Sequence, residues 1–495
     1  MSEEKDMKQP NWPCINNKKT NYSMKKITFL AIASLLLFAC NTNKETNKTA
    51  VQLDEYLTAQ STHYRFNGNV LVAENGKIVF QKSYGFANFD TKRLLNDSSV
   101  FELASVSKQF TATAILLLKD KGKLNLTDSL RQYFPELPYS GISIYQMLIH
   151  TSGLPDYEEA MNEKWDRTKI AFNKDMIAFL AKEKLPVLFA PGKKWEYSNT
   201  AYAILASIVE KVSGQSFSEF MAQNIFHPLQ MNHTRIYNTR RSVKDTIANY
   251  GYGFVYNDSL KKYFLPDSVT DLKFVIYLDG IQGDGVVNST TTDLLKWDRS
   301  IKNHTLLSEA SQNEMLKEQA IIDTVKKSYY GFGMFMEKTE LGYVFSHSGG
   351  WPGYITYLAR NVDKDQTFVV LSNNSSPSPA IAMALQHILN GKRVVTAYQH
   401  QEITIDSVTM QQFVGKYKAT NEISIERSGT KLFRVSTNGQ KIELKAESAT
   451  KFFYTDGSDR QIEFELDANS QDGVHKKIAN AWLINYGVKT AFKKV

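Results

Sequence analysis

The chain has 495 residues, 42% of them hydrophobic and 22% charged, enough to bury at least one large core and form two domains or more, which excludes a fibrous or disordered protein. Its formal net charge of +8 falls to +5 from Cys40 onward, where 53 Lys and Arg face 48 Asp and Glu. No basic cluster is interleaved with aromatic residues, so nothing points to nucleic acid as a partner.

Residues 1–23 are polar and read as an upstream extension, with Met24 the better start. Met24-Lys25-Lys26 and the apolar run Ile27 to Ala39, broken only by Thr28 and Ser34, supply the basic and hydrophobic parts of a secretory signal. The apolar run is too short to span a bilayer. Leu37-Phe38-Ala39-Cys40 resembles the lipobox of bacterial lipoproteins. That resemblance implies cleavage after residue 39, a lipid on Cys40, and anchoring in the cell envelope, in the periplasm or outer membrane. Cys14 is the only other cysteine, so the mature chain is expected to fold without a disulfide. Residues 40–58, rich in Asn, Thr and Lys, are expected to form a flexible tether.

Asn69 to Ala73 and Lys77 to Tyr84 are short apolar runs around Glu74-Asn75-Gly76, a two-strand hairpin signal. Helical patterns follow: Ser105 to Lys121 stopped by Gly122, Thr200 to Val212 stopped by Gly214, and Thr290 to Asn303 opened by Thr290-x-x-Asp293. Strand patterns return at Gly333 to Met336, Tyr343 to Ser346, Tyr354 to Arg360 and Thr367 to Ser372, before a helix at Ala380 to Leu389. This order predicts an α+β domain over 59–392, with one antiparallel sheet built from both ends of the segment. From about Glu402 the runs become short and alternating: Ile403 to Ile405, Ile423 to Ile425, Leu432 to Val435 and Ile462 to Leu466. Residues 393–495 therefore read as a linker and a small all-β domain.

Three short patterns carry chemistry. Ser105-Val106-Ser107-Lys108 opens an apolar helix, where residues at i and i+3 share a face, so the amine reaches the hydroxyl. The helix start also favours a developing negative charge. The same Ser-x-x-Lys spacing recurs at Ser2, Ser23, Ser259, Ser428 and Ser448, but none of those opens a long apolar helix. Tyr197-Ser198-Asn199 is the sole Tyr-x-Asn of the chain. In an extended segment its two outer side chains point the same way, offering a phenol for proton transfer and an amide for a carbonyl or the lysine. In isolation the pair reads as a packing tyrosine and a capping asparagine. His347-Ser348-Gly349-Gly350, after the strand Tyr343 to Ser346, is the sole His-x-Gly. Its small residues let a substrate backbone approach, and the Gly350 amide is a candidate oxyanion donor beside that of Ser105.

Together and in this order, the three patterns resemble those of the serine β-lactamase and penicillin-binding protein superfamily, whose related motif set has a known mechanism. Tyr197-Ser198-Asn199 resembles the variant of class C β-lactamases, D-alanyl-D-alanine carboxypeptidases and esterases of that fold. Leu148 to Leu154, Ile225 to Leu229, Gly283-Asp284-Gly285 and Trp351 to Tyr354 are similar to the family as well. The resemblance spans about residues 51–392 and implies a β-lactamase/transpeptidase-like domain with a helical subdomain. It implies that Ser105 forms an acyl-enzyme while Lys108 and Tyr197 exchange its proton, with either as the base. It further implies that Asn199 orients the substrate, and that Ser105 and Gly350 supply the oxyanion hole, with His347 and Gly349 alongside.

His347 stands where β-lactamases carry Lys, and histidine is mostly neutral at pH 7. A fixed charge for a substrate carboxylate is thereby lost. D-amino-acid peptides derived from peptidoglycan, in a carboxypeptidase-type reaction, or small esters are therefore expected ahead of β-lactams. A non-catalytic envelope binding module is the reading of a different class, and it would expect loss of Ser105, Lys108 or Tyr197. A metallohydrolase would need ligand clusters, yet the nine histidines include no His-x-His, His-x-x-x-His or His-Glu-x-x-His. No cofactor is expected.

Overall fold

The computed structural model describes residues 48–236, 248–418, 422–472 and 475–495. The expected signal over 1–39, the start at Met24 and the lipid-bearing Cys40 lie outside the described residues. The expected tether over 40–58 needs correction at its end, because residues 48–64 are helical (α1) and bury Leu53, Tyr56 and Leu57. These three occupy i, i+3 and i+4, an apolar stripe that the polar residues before it concealed.

Eight antiparallel strands form the main sheet: β1 (Gly68–Glu74), β2 (Lys77–Tyr84), β3 (Ala320–Asp323), β4 (Ser328–Tyr330), β5 (Phe335–Thr339), β6 (Gly342–Trp351), β7 (Tyr354–Asn361) and β8 (Gln366–Ser372). Their spatial order is β3-β4-β5-β6-β7-β8-β1-β2. The N-terminal hairpin thus completes a sheet begun by the C-terminal strands, with Gly68 opposite Ser372 and Glu74 opposite Gln366. Asn75 and Gly76, both at positive φ, make the two-residue turn whose twist suits the hairpin. β3 and β4, only four and three residues long, are too short to show an alternating pattern and carried no strand signal in the sequence. β6 runs on through Trp351, so His347 to Gly350 lie inside a strand rather than after one.

β1 and β8 are almost wholly buried. Leu71, Ala73, Val369 and Leu371, alternating along the two strands, join the main core with the helices α2 (Lys108–Asp120) and α4 (Asn199–Ser213). Every residue of α2 from Lys108 to Leu118 is buried, with Lys108, Gln109, Thr111 and Thr113 the polar members of an otherwise apolar run. A short helix α3 (Tyr157–Lys164), capped by Asp156, leads from the loop facing α4. Further along, α5 (Thr291–Lys302) begins at an N-cap where Thr290 accepts from the Asp293 amide, and it packs on β1 and β8. α6 (Ser378–Leu389) packs on β7 and β8.

From Gly415 to Lys494 the chain forms a closed eight-stranded antiparallel barrel. Its interior holds Phe413, Tyr417, Ile425, Leu432, Phe452, Phe464 and Phe492. The run Ile403 to Ile405, expected as a strand, is irregular. The barrel is joined to the rest of the fold: Tyr56 Oη donates to the Tyr486 carbonyl at 3.0 Å, and Gln60 Nε2 donates to Asp459 at 2.6 Å. Among the described residues no helix is long and apolar enough to cross a membrane.

Candidate active site

A cleft opens where the segment before α2, the starts of α3 and α4, the loop 278–286 and the end of β6 converge. Ser105, Glu158, Asn199, Asp284 and Gly350 are among its lining residues.

Ser105 sits in a tight 3-10 turn, Ala104–Ser107, that feeds directly into α2. The turn is pinned from three sides. Leu103 donates its amide to Val287 at 2.8 Å, its carbonyl accepts from Thr356 Oγ1 at 2.6 Å, and Ser107 Oγ accepts from the Val287 amide at 3.1 Å. Gly349 is needed here, since a Cβ on it would stand 2.0 Å from the Leu103 carbonyl oxygen. Gly350 has open space around the same position and lines the cavity. Ala104 and Val286, at φ +48° and +66°, are non-glycine residues in the left-handed region on either side of Ser105. Such strain persists only where the surroundings over-determine the backbone, and it clusters at functional sites.

Lys108 is fully buried. Its Nζ donates to Ser105 Oγ at 3.1 Å, Asn199 Oδ1 at 2.8 Å and the Asp284 main-chain carbonyl at 2.7 Å. Its three protons therefore meet three neutral acceptors. Burial lowers its pKa to about 8, against the upward pull of Asp284 and Glu158. Gly283 makes the third contact possible. A Cβ there would meet Ala206 and the Tyr202 carbonyl within 2.6 Å, so only glycine lets this loop lie on α4 and present the next carbonyl to Lys108.

Tyr197 places its ring under Lys108 Nζ, 4.8 Å from the ring centroid. Its hydroxyl is buried and makes no hydrogen bond of ordinary geometry among the described residues. Burial raises its pKa well above 10, with Ser105 the one group acting in the other direction among those that weigh most. His150 holds the segment in place: its carbonyl accepts from the Glu196 amide, its Nδ1 accepts from the Ser198 amide at 3.0 Å, and its ring lies 4.3 Å from that of Tyr197.

Asn199 is engaged at both ends, accepting from Lys108 and donating through Nδ2 to Glu158 Oε1 at 2.8 Å. Glu158 and Asp284 carried no role in the sequence reading. Burial, then Asp284 and Asp156, raise the Glu158 pKa to about 7. An acidic residue in the first turn of a helix is ordinary. It gave the sequence no signal.

His347 departs from its expected place. It is 1% exposed, does not line the cavity, and meets Tyr330 Oη at 3.1 Å through Nε2 and the Ser348 carbonyl at 2.6 Å through Nδ1. A carbonyl only accepts, so Nδ1 carries the proton and Nε2 accepts from the tyrosine. Burial and the Lys108 charge lower its pKa to about 3, which keeps the ring neutral. The structure therefore brings Ser105, Lys108, Tyr197, Asn199 and Gly350 together, sets Gly349 in the wall behind Ser105, and puts His347 behind Tyr197. No group of three or more His, Cys, Asp or Glu among the described residues is placed to hold a metal.

A family model described as Beta-lactamase matches residues 53–391. The chain is 38% identical over 434 residues to penicillin-binding protein 4* of Bacillus subtilis (strain 168), covering 84% of this chain and 96% of that protein. Among solved structures, a penicillin binding protein from Bacillus halodurans is 25% identical with a TM-score of 0.59, covering 68% of this chain and 98% of that one. The octameric penicillin-binding protein homologue from Pyrococcus abyssi shares the fold at 21% identity and a TM-score of 0.63, covering 89% and 99%.

Proposed function

The chain belongs to the β-lactamase family and is a serine hydrolase of it, and from that premise we propose that Ser105 is the nucleophile and Lys108 the base that activates it. One observation carries this assignment: Lys108 Nζ lies 3.1 Å from Ser105 Oγ among neutral acceptors, with a pKa of about 8. An amine poised there is deprotonated in part at neutral pH, whereas burial holds the Tyr197 phenol protonated. Neutral Lys108 takes the Ser105 proton as Oγ attacks the carbonyl carbon. The amides of Ser105 and Gly350 hold the oxyanion. The C–N or C–O bond then breaks, and the leaving group receives the proton from Lys108 by way of the Tyr197 hydroxyl. Water resolves the acyl-enzyme by the reverse transfers.

The substrates in this reading are amides or esters of D-amino-acid peptides derived from peptidoglycan, or small esters. Neutral, buried His347 gives a substrate carboxylate no positive charge, and no Lys or Arg is among the described residues that line the cavity. That ranks carboxylate-bearing β-lactams below these amides and esters. A fluorophosphonate or fluorescent penicillin probe is expected to label the parent, and Ser105→Ala to abolish labelling. Absence of labelling in the parent by either probe would support a binding module instead. Comparing D-alanyl amides, p-nitrophenyl esters and nitrocefin then orders the substrates, and fastest turnover of nitrocefin would sink the ranking.

We propose as well that a lipid on Cys40 holds the mature protein at the cell envelope, because the lipobox-like segment follows a basic and apolar leader. Cys40→Ala is expected to shift the protein from the membrane to the soluble fraction. Unchanged fractionation would remove the anchor.

A further inference from the structure

We propose that Glu158 is a positioning residue for the acylation of Ser105, fixing the Asn199 amide so that its oxygen faces Lys108. This inference rests on the assigned roles of Ser105 and Lys108. An asparagine side chain has an acceptor end and a donor end of nearly the same shape, and only its partners decide which faces which way. Lys108, while it carries an ammonium, needs the acceptor end. Neutral Lys108 has a lone pair and accepts either end, so during each turnover the asparagine loses part of its reason to stay oriented.

Glu158 supplies the missing constraint. Its Oε1 takes the Asn199 Nδ2–H at 2.8 Å, and above its own pKa of about 7 the carboxylate accepts only the donor end. The contact survives loss of the Lys108 proton. Glu158 is itself held: Asp156 caps α3 by accepting from the Glu158 and Glu159 amides at 2.7 and 3.1 Å. The adjacent Tyr157 donates its hydroxyl to Asp284 Oδ2 at 2.8 Å, and the Tyr157 amide is bonded to Thr200 Oγ1. Thus α3 and α4 are tied at their first turns, and the chain Glu158–Asn199–Lys108–Ser105 runs between them in contacts of 2.8, 2.8 and 3.1 Å.

The same position makes Glu158 an electrostatic neighbour of Lys108. The charged and titratable groups facing this cluster are Asp156, Tyr157, Glu158, Asp284, Tyr197, Tyr202, His150, His347 and Lys108 itself. Glu158 raises the Lys108 pKa. Removing its charge lowers that pKa further.

Glu158→Gln keeps an oxygen able to accept from Asn199 and removes the charge, whereas Glu158→Ala removes both. The test is the second-order rate of fluorophosphonate labelling across pH on the full chain, with thermal melting alongside. Glu158→Ala is expected to label roughly 10- to 100-fold more slowly at every pH, the scale of a misplaced catalytic group. Glu158→Gln is expected to recover most of that loss, with the Lys108-linked limb of its profile displaced to lower pH. Parental rate and profile in Glu158→Ala would overturn the proposal. So would equal losses in the two variants with no displaced limb, because that is the pattern of a residue holding only the fold. If Glu158→Ala does not fold, the displaced limb and retained rate of Glu158→Gln decide alone. Failure of the parent to label overturns the Ser105 assignment itself.

Discussion

Lys108 and Lys451 sit in two polar clusters built from similar residue types, and what their ammonium groups touch differs. In the barrel, Lys451 Nζ lies 2.9 Å from Glu447 Oε1 and donates to Tyr398 Oη, while Tyr398 and His400 also hydrogen-bond to that carboxylate. Burial works against the Glu447 charge, yet the three partners outweigh it and hold its pKa at about 2. Beside Ser105, no carboxylate oxygen is in contact with Lys108 among the described residues, and its acceptors are a hydroxyl, an amide and a main-chain carbonyl. Contact with an opposite charge fixes protonation across the physiological range. Contact with neutral dipoles satisfies the donors and leaves the lysine free to titrate. The first cluster is suited to joining segments of chain, the second to moving a proton.

The comparison is most strongly broken by giving Lys108 a carboxylate contact. On the proposed assignment of Lys108 as base, the acylation rate of the parent should rise with pH through about 8, because only the neutral amine takes up a proton. Asn199→Asp puts a charge where Oδ1 now sits. It is expected to displace that rise upward by roughly a pH unit or more, and to lower the rate at pH 7 by at least ~10-fold. Stopped-flow labelling across pH reads both, and an unmoved midpoint would mean that Lys108 does not set the profile. The converse change leaves chemistry alone. Glu447→Ala should destabilise the protein by about 2 kcal/mol, discounted for the part-exposed Lys451, through the partners it strands. Its labelling rate at pH 7 should match the parent.

The sign of the Glu447 contribution follows from its lowered pKa. The stabilisation is complete above the unfolded value near 4.5 and is lost as the pH falls toward 2. Thermal melts of parent and Glu447→Ala should therefore converge in acid. Melts that stay equally separated at pH 3 and pH 7 would assign the effect to packing instead.

Much of the site was legible because its motifs are local. Ser105 and Lys108 are three residues apart on one helical turn, with the apolar helix setting them apart from the five other Ser-x-x-Lys matches, and Tyr197 and Asn199 flank a single residue. The hairpin at Asn75-Gly76 and the caps at Thr290 and Gly214 were equally local, being matters of φ and of one hydrogen bond each. By contrast, His347 was placed at the substrate because its motif stands in that position. Burial by Tyr330, Phe335 and Tyr197 took it out of the cavity, and those neighbours come from other segments of the chain.

The sequence by itself determined the antiparallel α+β order, the C-terminal β domain and the motifs that meet at the candidate site, because periodicity, turns and near-neighbour spacing are properties of short segments. Tertiary structure alone decided the electrostatics. That Lys108 meets the Asp284 carbonyl, that Asn199 is held by Glu158 and that Gly349 serves the Leu103 carbonyl all join residues 41 to 246 positions apart. A pKa depends on burial and on which dipoles face the group, and only the packed chain brings those together.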